Sequence, residues 1–139
     1  MDCIFCNIVE GKIPARKIME TEKSLAFLDV FPLTKGHTLV IPKNHYSKIQ
    51  EMSNDDNIDL FESVRVLTNK IELLFSSSLI AIHNGKESGQ EVPHVHVHII
   101  PRTIDDGAGS VHSMFRKRPH FTNDELDQIA EKLNKKIES

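Results

Sequence analysis

Short apolar runs separated by turn residues make up the first 42 residues of the chain. The pattern predicts a helical turn over residues 3–10, closed by Gly11, and short strands over residues 16–21, 24–29 and 38–41. The first third of the chain is therefore expected to form strands in close succession.

In the middle of the chain, the apolar residues recur with a helical period instead of forming short runs. Ser53 is a plausible N-cap, and the helix is expected to run to about Phe75. Apolar residues recur at spacings of four and three, which places them on one face of this helix. They are Leu60, Val64, Leu67, Ile71 and Leu74.

Two more strands and a second helix are predicted in the remaining sequence. The strands cover residues 79–83 and 94–101, with a glycine-rich turn over residues 84–93 between them. Residues 102–121 show no clear period and are expected to form a loop. Thr122 and Glu125 then form a capping box ahead of an apolar helical stripe.

These elements predict an α+β fold with a five-stranded, mostly antiparallel sheet, one long helix and a C-terminal helix. With 139 residues, 39% of them apolar and 27% charged, the chain has the size and composition of one soluble domain. We expect a single domain over residues 1–139, with its core at about 3–102 and a C-terminal loop and helix over 103–139.

Charge and composition exclude several classes of partner. Seventeen lysines and arginines against twenty acidic residues give a net charge of −3, which argues against polymeric DNA or RNA as a partner. No apolar run is long enough to predict a membrane span, and the sequence start lacks the features of a secretory signal. We therefore expect a cytoplasmic protein, for which a single nucleotide remains a possible ligand.

The two cysteines, Cys3 and Cys6, lie close together at the start of the chain. A disulfide between them would close a very small loop and stabilise little. In a chain without an export signal, this Cys-x-x-Cys pair indicates half of a metal site or a redox pair.

The segment from His94 to Ile100 alternates histidine with apolar residues. On a strand, Val95, Val97 and Ile99 would face the core, and three imidazoles would line the opposite face. A half-exposed strand that happens to carry histidines would have no packing reason for this pattern. Three imidazoles could bind a catalytic zinc, or one could act as a nucleophile while the others position a phosphate.

This segment, with Gly89-Gln90 before it and Pro101-Arg102 after it, resembles the signature of the histidine triad (HIT) superfamily. Two upstream blocks, Ala26-Phe27-Leu28-Asp29 and Gly36 to Lys43, are similar to the family pattern as well. The similarity covers roughly residues 3–102 and is greatest to the Hint-like nucleotide hydrolases and transferases. It implies a homodimer in which two sheets join into one ten-stranded sheet, with residues 54–75 and 79–83 at the interface.

The resemblance also implies a mechanism. His96 matches the histidine that attacks the α-phosphorus of a nucleotide, and His98 matches the residue that contacts the transferring phosphate. His94 completes the triad, and His37 resembles the upstream histidine that orients it. The implied activity is hydrolysis of purine nucleoside 5′-phosphoramidates through a nucleotidyl-histidine intermediate, without an organic cofactor.

The nucleotide pocket implied by the resemblance draws on two parts of the chain. Asp29 would accept hydrogen bonds from the ribose hydroxyls, although it could instead form a turn, and each apolar member could be plain core. The base would contact Phe5, Ile8, Phe27, Val30 and Leu39. The phosphate end would be formed by Asn84, Gly89, Gln90 and Glu91, with backbone amides between Gly85 and Gly89 donating to phosphate oxygens.

Two residues depart from the family pattern. Glu91 stands where many members carry serine or threonine, and an ionised carboxylate there would repel phosphate. It could point away, be protonated, or select a cationic leaving group. His83 stands where the family has asparagine, with Asn84 shifted by one position.

Some relatives hold a structural zinc with the amino-terminal cysteine pair and two histidines. The matching residues are Cys3, Cys6, His45 and His94, and the alternative is two reduced thiols without metal. His112 and His120 match no known position. Residues 116–118 are basic and are expected to form a solvated turn or to contact a second phosphate or an acidic leaving group.

Three other functions remain open from the sequence. One is a dinucleoside polyphosphate hydrolase of the Fhit type, and another is a nucleotide-binding regulatory module without catalysis. The third is a hydrolase with zinc bound by His94, His96 and His98.

Overall fold

The computed structural model describes residues 2–138 of the chain, and the side chains of residues 2–136. The described residues form two compact units, divided between Asp106 and Gly107. This division lies close to the predicted border between core and C-terminal segment. The prediction of one domain over residues 1–139 reaches beyond the described residues at both ends and stays a prediction.

The first unit contains a five-stranded sheet and two α-helices. Its neighbouring strands pair in the order β1-β2-β3-β5-β4, and every pair is antiparallel. This arrangement confirms the predicted α+β fold, with α2 connecting the third and fourth strands. The elements are α1 (Ile4–Val9), β1 (Lys17–Glu20), β2 (Ser24–Leu28), β3 (Thr38–Pro42), α2 (Asn54–Ile71), β4 (Ser77–Ala81) and β5 (Val97–Arg102).

Each face of the sheet packs against a different helix because strand side chains alternate between the two faces. Ala26, Val40 and Ile99 pack against the apolar stripe of α2 in one buried cluster. Leu25, Phe27, Leu39 and Ile41 pack against α1 in a second cluster, which also contains Cys3. The face covered by α1 is the one that carries the histidines of the candidate site.

Helix α2 begins after the predicted N-cap, and the hydroxyl of Ser53 accepts a hydrogen bond from the amide of Asp56. Its predicted end near Phe75 is wrong, because the helix closes at Ile71 and the chain turns through the next residues. Leu74, the last member of the predicted stripe, is 81% exposed.

The two strands that follow α2 are displaced from their predicted ranges. The strand predicted over 79–83 runs from Ser77 to Ala81, because its ladder with β5 includes two serines that the apolar pattern left out. The strand predicted over 94–101 begins at Val97 and extends to Arg102. Before it, the amide of Val95 donates to the carbonyl of Tyr46 instead of joining the sheet ladder.

The second unit consists of an irregular segment with one 3₁₀ turn (Val111–Met114) and helix α3 (Asn123–Glu138). The predicted capping box is present: the Glu125 amide donates to the Thr122 hydroxyl, and the Thr122 amide donates to the Glu125 carboxylate. None of the helices in the described part of the chain is long and apolar enough to cross a membrane.

Candidate active site

The histidine segment keeps its predicted alternation although only its second half is strand. Val95 and Val97 are buried in the cluster under α2, so the histidines face the side of the sheet that α1 covers. His94 and His96 are themselves buried, and the Phe5 ring of α1 contacts His96 edge-on with centroids 5.0 Å apart. Histidines and valines therefore lie on opposite faces of this segment, as predicted for a strand.

The ring of His96 is held with one nitrogen free. Its Nδ1–H donates to the backbone carbonyl of His94 over 2.8 Å. A carbonyl can only accept, so Nδ1 carries the proton and Nε2 keeps its lone pair. His96 also lines a cavity of about 420 Å³. An imidazole in this tautomer can act as a nucleophile towards a ligand in that cavity.

A chain of hydrogen bonds orients His98 in the same way. The backbone amide of Leu33 donates to Nδ1 of His37 over 3.0 Å, so the proton of His37 lies on Nε2. That Nε2–H donates to Nδ1 of His98, again over 3.0 Å. The proton of His98 therefore lies on its Nε2, a buried atom without a hydrogen-bond partner among the described residues.

Burial keeps these imidazoles neutral. It is the largest cause that lowers the pKa of His96, and the backbone carbonyl of His94 offsets only part of the effect. Burial and the neighbouring imidazoles lower the pKa of His98 to about 4. The pKa of His37 is lowered by burial as well, against the opposing charge of Asp29. At neutral pH each ring therefore offers one donor and one acceptor.

The cavity in front of His96 and His98 is mostly apolar. Residues that the sequence analysis did not single out contribute to its wall, among them Ile13, Pro14 and Phe31. They carry no chemical pattern, so only proximity in the fold could have identified them. The lining includes seven of the predicted nucleotide-binding residues: Phe5, Ile8, Phe27, Asp29, Val30, Leu39 and Glu91.

Asp29 forms a turn and lines the cavity at once. One carboxylate oxygen accepts from the backbone amide of Phe31 over 2.9 Å. The other lies 3.6 Å from Nε2 of His37. The turn-forming interpretation of this residue is therefore confirmed, and the free acceptor capacity of its carboxylate still faces the cavity.

The remaining predicted binding residues, Asn84, Gly89 and Gln90, are not among the described residues that line the cavity. Asn84 bonds to the amide of Ile49 and to Gln50. Gln90 accepts from the amide of Gly85 and donates to the carbonyls of Ser47 and Val92.

Several of the backbone amides expected to meet phosphate are also engaged within this loop. Gly85 donates to the Gln90 side chain, and the amide of Gly89 donates to the carbonyl of Lys86. The glycine-rich segment is therefore held by hydrogen bonds within the loop and to the carbonyl of Ser47.

The two departures from the family pattern both lie at the site. The ring of His83 packs edge-on against His98, with centroids 5.4 Å apart. Gly89 makes room for it: with φ +107, a Cβ there would be strained and would lie 3.3 Å from Cδ2 of His83. Glu91 is exposed and borders the cavity.

Four potential metal ligands converge beside the cavity: Cys3, Cys6, His45 and His94. The Nδ1 atom of His94 lies 3.4 Å from Sγ of Cys3 and 3.2 Å from Nδ1 of His45, and Sγ of Cys6 lies 3.4 Å from Nδ1 of His45. Tetrahedral zinc with ordinary bond lengths requires ligand separations of about 3.3–3.8 Å. The spacing of the four side chains is therefore close to that of a tetrahedral site.

The protonation states of the four side chains are also compatible with metal binding. His94 donates through Nε2 to the carbonyl of Pro42 over 2.8 Å, which leaves Nδ1 free to ligate. Burial and the neighbouring Cys3 raise the pKa of Cys6 to about 11, so a bound cation would have to supply the energy for deprotonation. The donor set is compatible with zinc.

The triad histidines thus divide between two places. His94 directs Nδ1 to the cysteines, whereas His96 and His98 line the cavity. Among the described residues, the three triad imidazoles do not form a common metal set; the second potential set combines Asp29, His37 and His98. In the second unit, His112, His120 and residues 116–118 are exposed, and their predicted roles stay predictions.

Comparison with known proteins places this geometry in a family. The model of the HIT domain matches residues 10–104. An adenosine 5′-monophosphoramidase of Schizosaccharomyces pombe is 39% identical over 138 residues, covering 99% of each chain.

Solved structures agree with the sequence match. A HIT family protein of Bacillus subtilis superposes with a TM-score of 0.86 at 37% identity, covering 97% of this chain and 96% of that one. A zinc-bound histidine triad family protein of Mycobacterium smegmatis superposes with a TM-score of 0.73 at 35% identity, covering 86% and 85%. The chain therefore belongs to the histidine triad (HIT) family.

Proposed function

We propose that this protein hydrolyses purine nucleoside 5′-phosphoramidates by covalent catalysis through His96. The observation that carries the proposal is the state of His96: Nδ1 is fixed by a backbone carbonyl, and Nε2 is free in a ring that lines the apolar cavity. The S. pombe relative is named for the same class of reaction.

The reaction has two steps. His96 Nε2 attacks the α-phosphorus, the P–N bond breaks, and the leaving nitrogen takes up a proton that a neighbouring imidazole can supply. Water then attacks the phosphorus, the P–Nε2 bond breaks, and the proton that water loses returns to the imidazole that protonated the leaving nitrogen. The products are an amine, a nucleoside monophosphate and neutral His96.

His98 stabilises the charge on the phosphoryl oxygens. Its Nε2–H is buried without a partner among the described residues, and such a donor gains a strong hydrogen bond when an oxyanion arrives. His37 acts on the reaction through His98, since its hydrogen bond fixes the tautomer that presents this donor. His94 supports His96 through its backbone carbonyl.

The shape and lining of the cavity suit a nucleoside. Apolar side chains such as Ile8, Phe27 and Leu39 would cover the faces of a purine, and Asp29 would accept from the ribose hydroxyls. The cavity volume of about 420 Å³ is in the range of small-ligand pockets.

We further propose a structural zinc and a homodimer. Cys3, Cys6, His45 and His94 would hold the zinc, which would fix α1 to the segments before β5 and after β3. The dimer would form along β4, an edge strand whose residue Ile80 is 46% exposed, and along α2, where Ile58 is 66% exposed. Exposed apolar residues beside an unpaired edge favour strand addition from a second copy.

The test is release of AMP from an adenosine 5′-phosphoramidate by wild type and by His96→Ala. We expect turnover by wild type and a loss of about a thousandfold or more in the variant, because the covalent route is removed. Binding of AMP with equal affinity by both proteins would show that the variant is folded.

Failure of wild type to cleave the P–N bond, despite AMP binding, would contradict the proposal. A dinucleoside polyphosphate would then be assayed for P–O–P cleavage. Turnover that survives His96→Ala would contradict the covalent mechanism alone.

A further inference from the structure

A second cavity, of about 370 Å³, adjoins the one described above. The two cavities share Ile4, Glu91 and Val92 as lining residues. The second cavity is also bordered by Asp2 and Ser47, and by Cys3 and His45, two of the proposed zinc ligands. A ligand that fills the first cavity with its nucleoside thus has a neighbouring space available to another part of the molecule.

The chemistry at His96 indicates which part that is. In phosphoryl transfer the attacking and leaving atoms lie roughly in line with the phosphorus. The nucleoside would take the apolar region around Phe27 and Leu39, and His96 would attack the phosphorus. The leaving group is then directed away from His96, and the second cavity is the space that adjoins the first.

Glu91 gives this border a negative charge. Its side chain is exposed, and in the described part of the chain its carboxylate has no hydrogen-bonded or ionic partner. Its charge lies close to the reaction centre, because Glu91 and His96 line the same cavity. Beside a phosphate, this carboxylate would be repulsive unless a cation lies between them.

We propose that the second cavity is a leaving-group subsite, and that Glu91 selects amines that carry an additional positive charge. This inference rests on the proposed phosphoramidase function and specifies its substrate class. The ammonium of the leaving group would pair with Glu91, and that contact would offset the repulsion between the carboxylate and the phosphate. Asp2, which also borders this cavity, adds charge of the same sign.

Two adenosine 5′-phosphoramidates of equal length test the proposal. In one, the amine is 1,4-diaminobutane; in the other, it is pentylamine, which replaces the terminal ammonium by a methyl group. We expect wild type to prefer the diamine conjugate by about fivefold in kcat/KM, the upper range for one solvent-accessible ion pair. The preference should shrink at high salt.

Glu91→Gln is the decisive variant, and Glu87→Gln is the matched control on the same exposed loop. The ratio of the two kcat/KM values should fall to about one in Glu91→Gln, whatever happens to the absolute rates, and stay at the wild-type value in Glu87→Gln.

Three outcomes would overturn the inference. Equal rates on both substrates in wild type would show that charge is not selected, and a ratio unchanged in Glu91→Gln would show that Glu91 is not the selector. Both would leave the proposed function intact. Cleavage of neither substrate would overturn the proposed function together with the inference.

Discussion

At the scale of single residues, one backbone amide determines which nitrogen carries the proton in two histidine rings. The amide of Leu33 can only donate, so His37 accepts through Nδ1 and donates through Nε2. His98 must then accept through Nδ1, and its proton is directed to Nε2, the atom without a partner in the part of the chain that the structure describes. A fixed donor is ready for the phosphate before any ligand binds, so little reorganisation is needed during the reaction.

His37→Leu should remove this control. Nδ1 of His98 would lose its donor, its proton could move to Nδ1, and we expect kcat/KM to fall by about a hundredfold, as for loss of one oxyanion donor. Because the effect acts through His98, adding His37→Leu to His98→Ala should change the rate little further.

The measurement is a double-mutant cycle on kcat/KM, with the thermal midpoint of each variant as a check on folding. Additive losses would contradict the relay. A His37→Leu variant with normal activity would show that His98 keeps its tautomer by other means.

The alternating pattern identified the three histidines in the sequence, but it did not show which way each ring points. Alternation predicts that they share a face, and they do. Whether a ring turns towards the cysteines, as His94 does, or towards the cavity depends on acceptors such as the Pro42 carbonyl, which lies 52 positions away in sequence. A side-chain torsion that depends on a partner distant in sequence cannot be predicted from the local sequence pattern.

At the scale of elements, helix α2 fixes the segment that carries a candidate zinc ligand. Asp56, in the first turn of α2, accepts from the Asn44 amide over 2.8 Å and from the Tyr46 hydroxyl over 2.7 Å. These two residues flank His45. The hydrogen bond from Asn44, and then that from Tyr46, lower the pKa of Asp56, so the buried carboxylate is stabilised in its ionised form.

Asp56→Asn should lower the free energy of unfolding by about 1.5–3 kcal/mol at pH 7, the range for hydrogen bonds to a charged group. The pKa of Asp56 is lower in the folded than in the unfolded chain, so its contribution is complete above the unfolded value of about 4 and is lost as pH falls further. The difference between wild type and variant should therefore narrow between about pH 5 and pH 3.

Urea unfolding at several pH values measures this difference. Asp55→Asn is the matched control, since Asp55 lies in the same helical turn with its side chain 82% exposed. Its effect should stay below about 1 kcal/mol throughout. A difference for Asp56→Asn that is independent of pH would contradict the assigned role of the carboxylate.

At the scale of the whole molecule, the proposed zinc would join parts of the chain that are far apart in sequence. Its ligands come from α1, from the loop after β3 and from the segment before β5. Such a cross-link stabilises the folded state by its binding free energy, because the unfolded chain presents no assembled site.

Removal of zinc by a strong chelator should lower the thermal midpoint by about 5 °C or more. At temperatures well below both transitions the apoprotein should keep most of its activity, because the proposed zinc lies outside the cavity wall formed by His96 and His98. Cys6→Ser should show a low midpoint that the chelator does not change. An unaffected wild-type midpoint would contradict a structural zinc.

The proposed dimer is tested at its sheet edge. Ile80→Lys places a charge on the exposed side of β4, and we expect the variant to have the mass of a monomer by light scattering where wild type has twice that mass. Ile104→Lys is the control, because Ile104 is 98% exposed and lies outside β4 and α2. A monomeric wild type, or a dimeric Ile80→Lys, would contradict this interface.

The sequence by itself determined the fold class, the number of strands and the family. These follow from local periodicity and from short motifs, because the alternation of side chains along a strand and the spacing along a helix are properties of the backbone. The start of α2 and of α3 was equally predictable from Ser53 and Thr122, since capping is a contact between near neighbours.

Only the tertiary structure decided where β5 begins, which nitrogen of each histidine is free, and how the two cavities meet at Glu91. Each of these depends on partners distant in sequence: the Tyr46 carbonyl for Val95, the Leu33 amide for His37, and Ile4 of α1 for the shared cavity wall. These conformations are equivalent in their local interactions, and long-range packing determines which one is adopted. Local sequence patterns therefore cannot predict it.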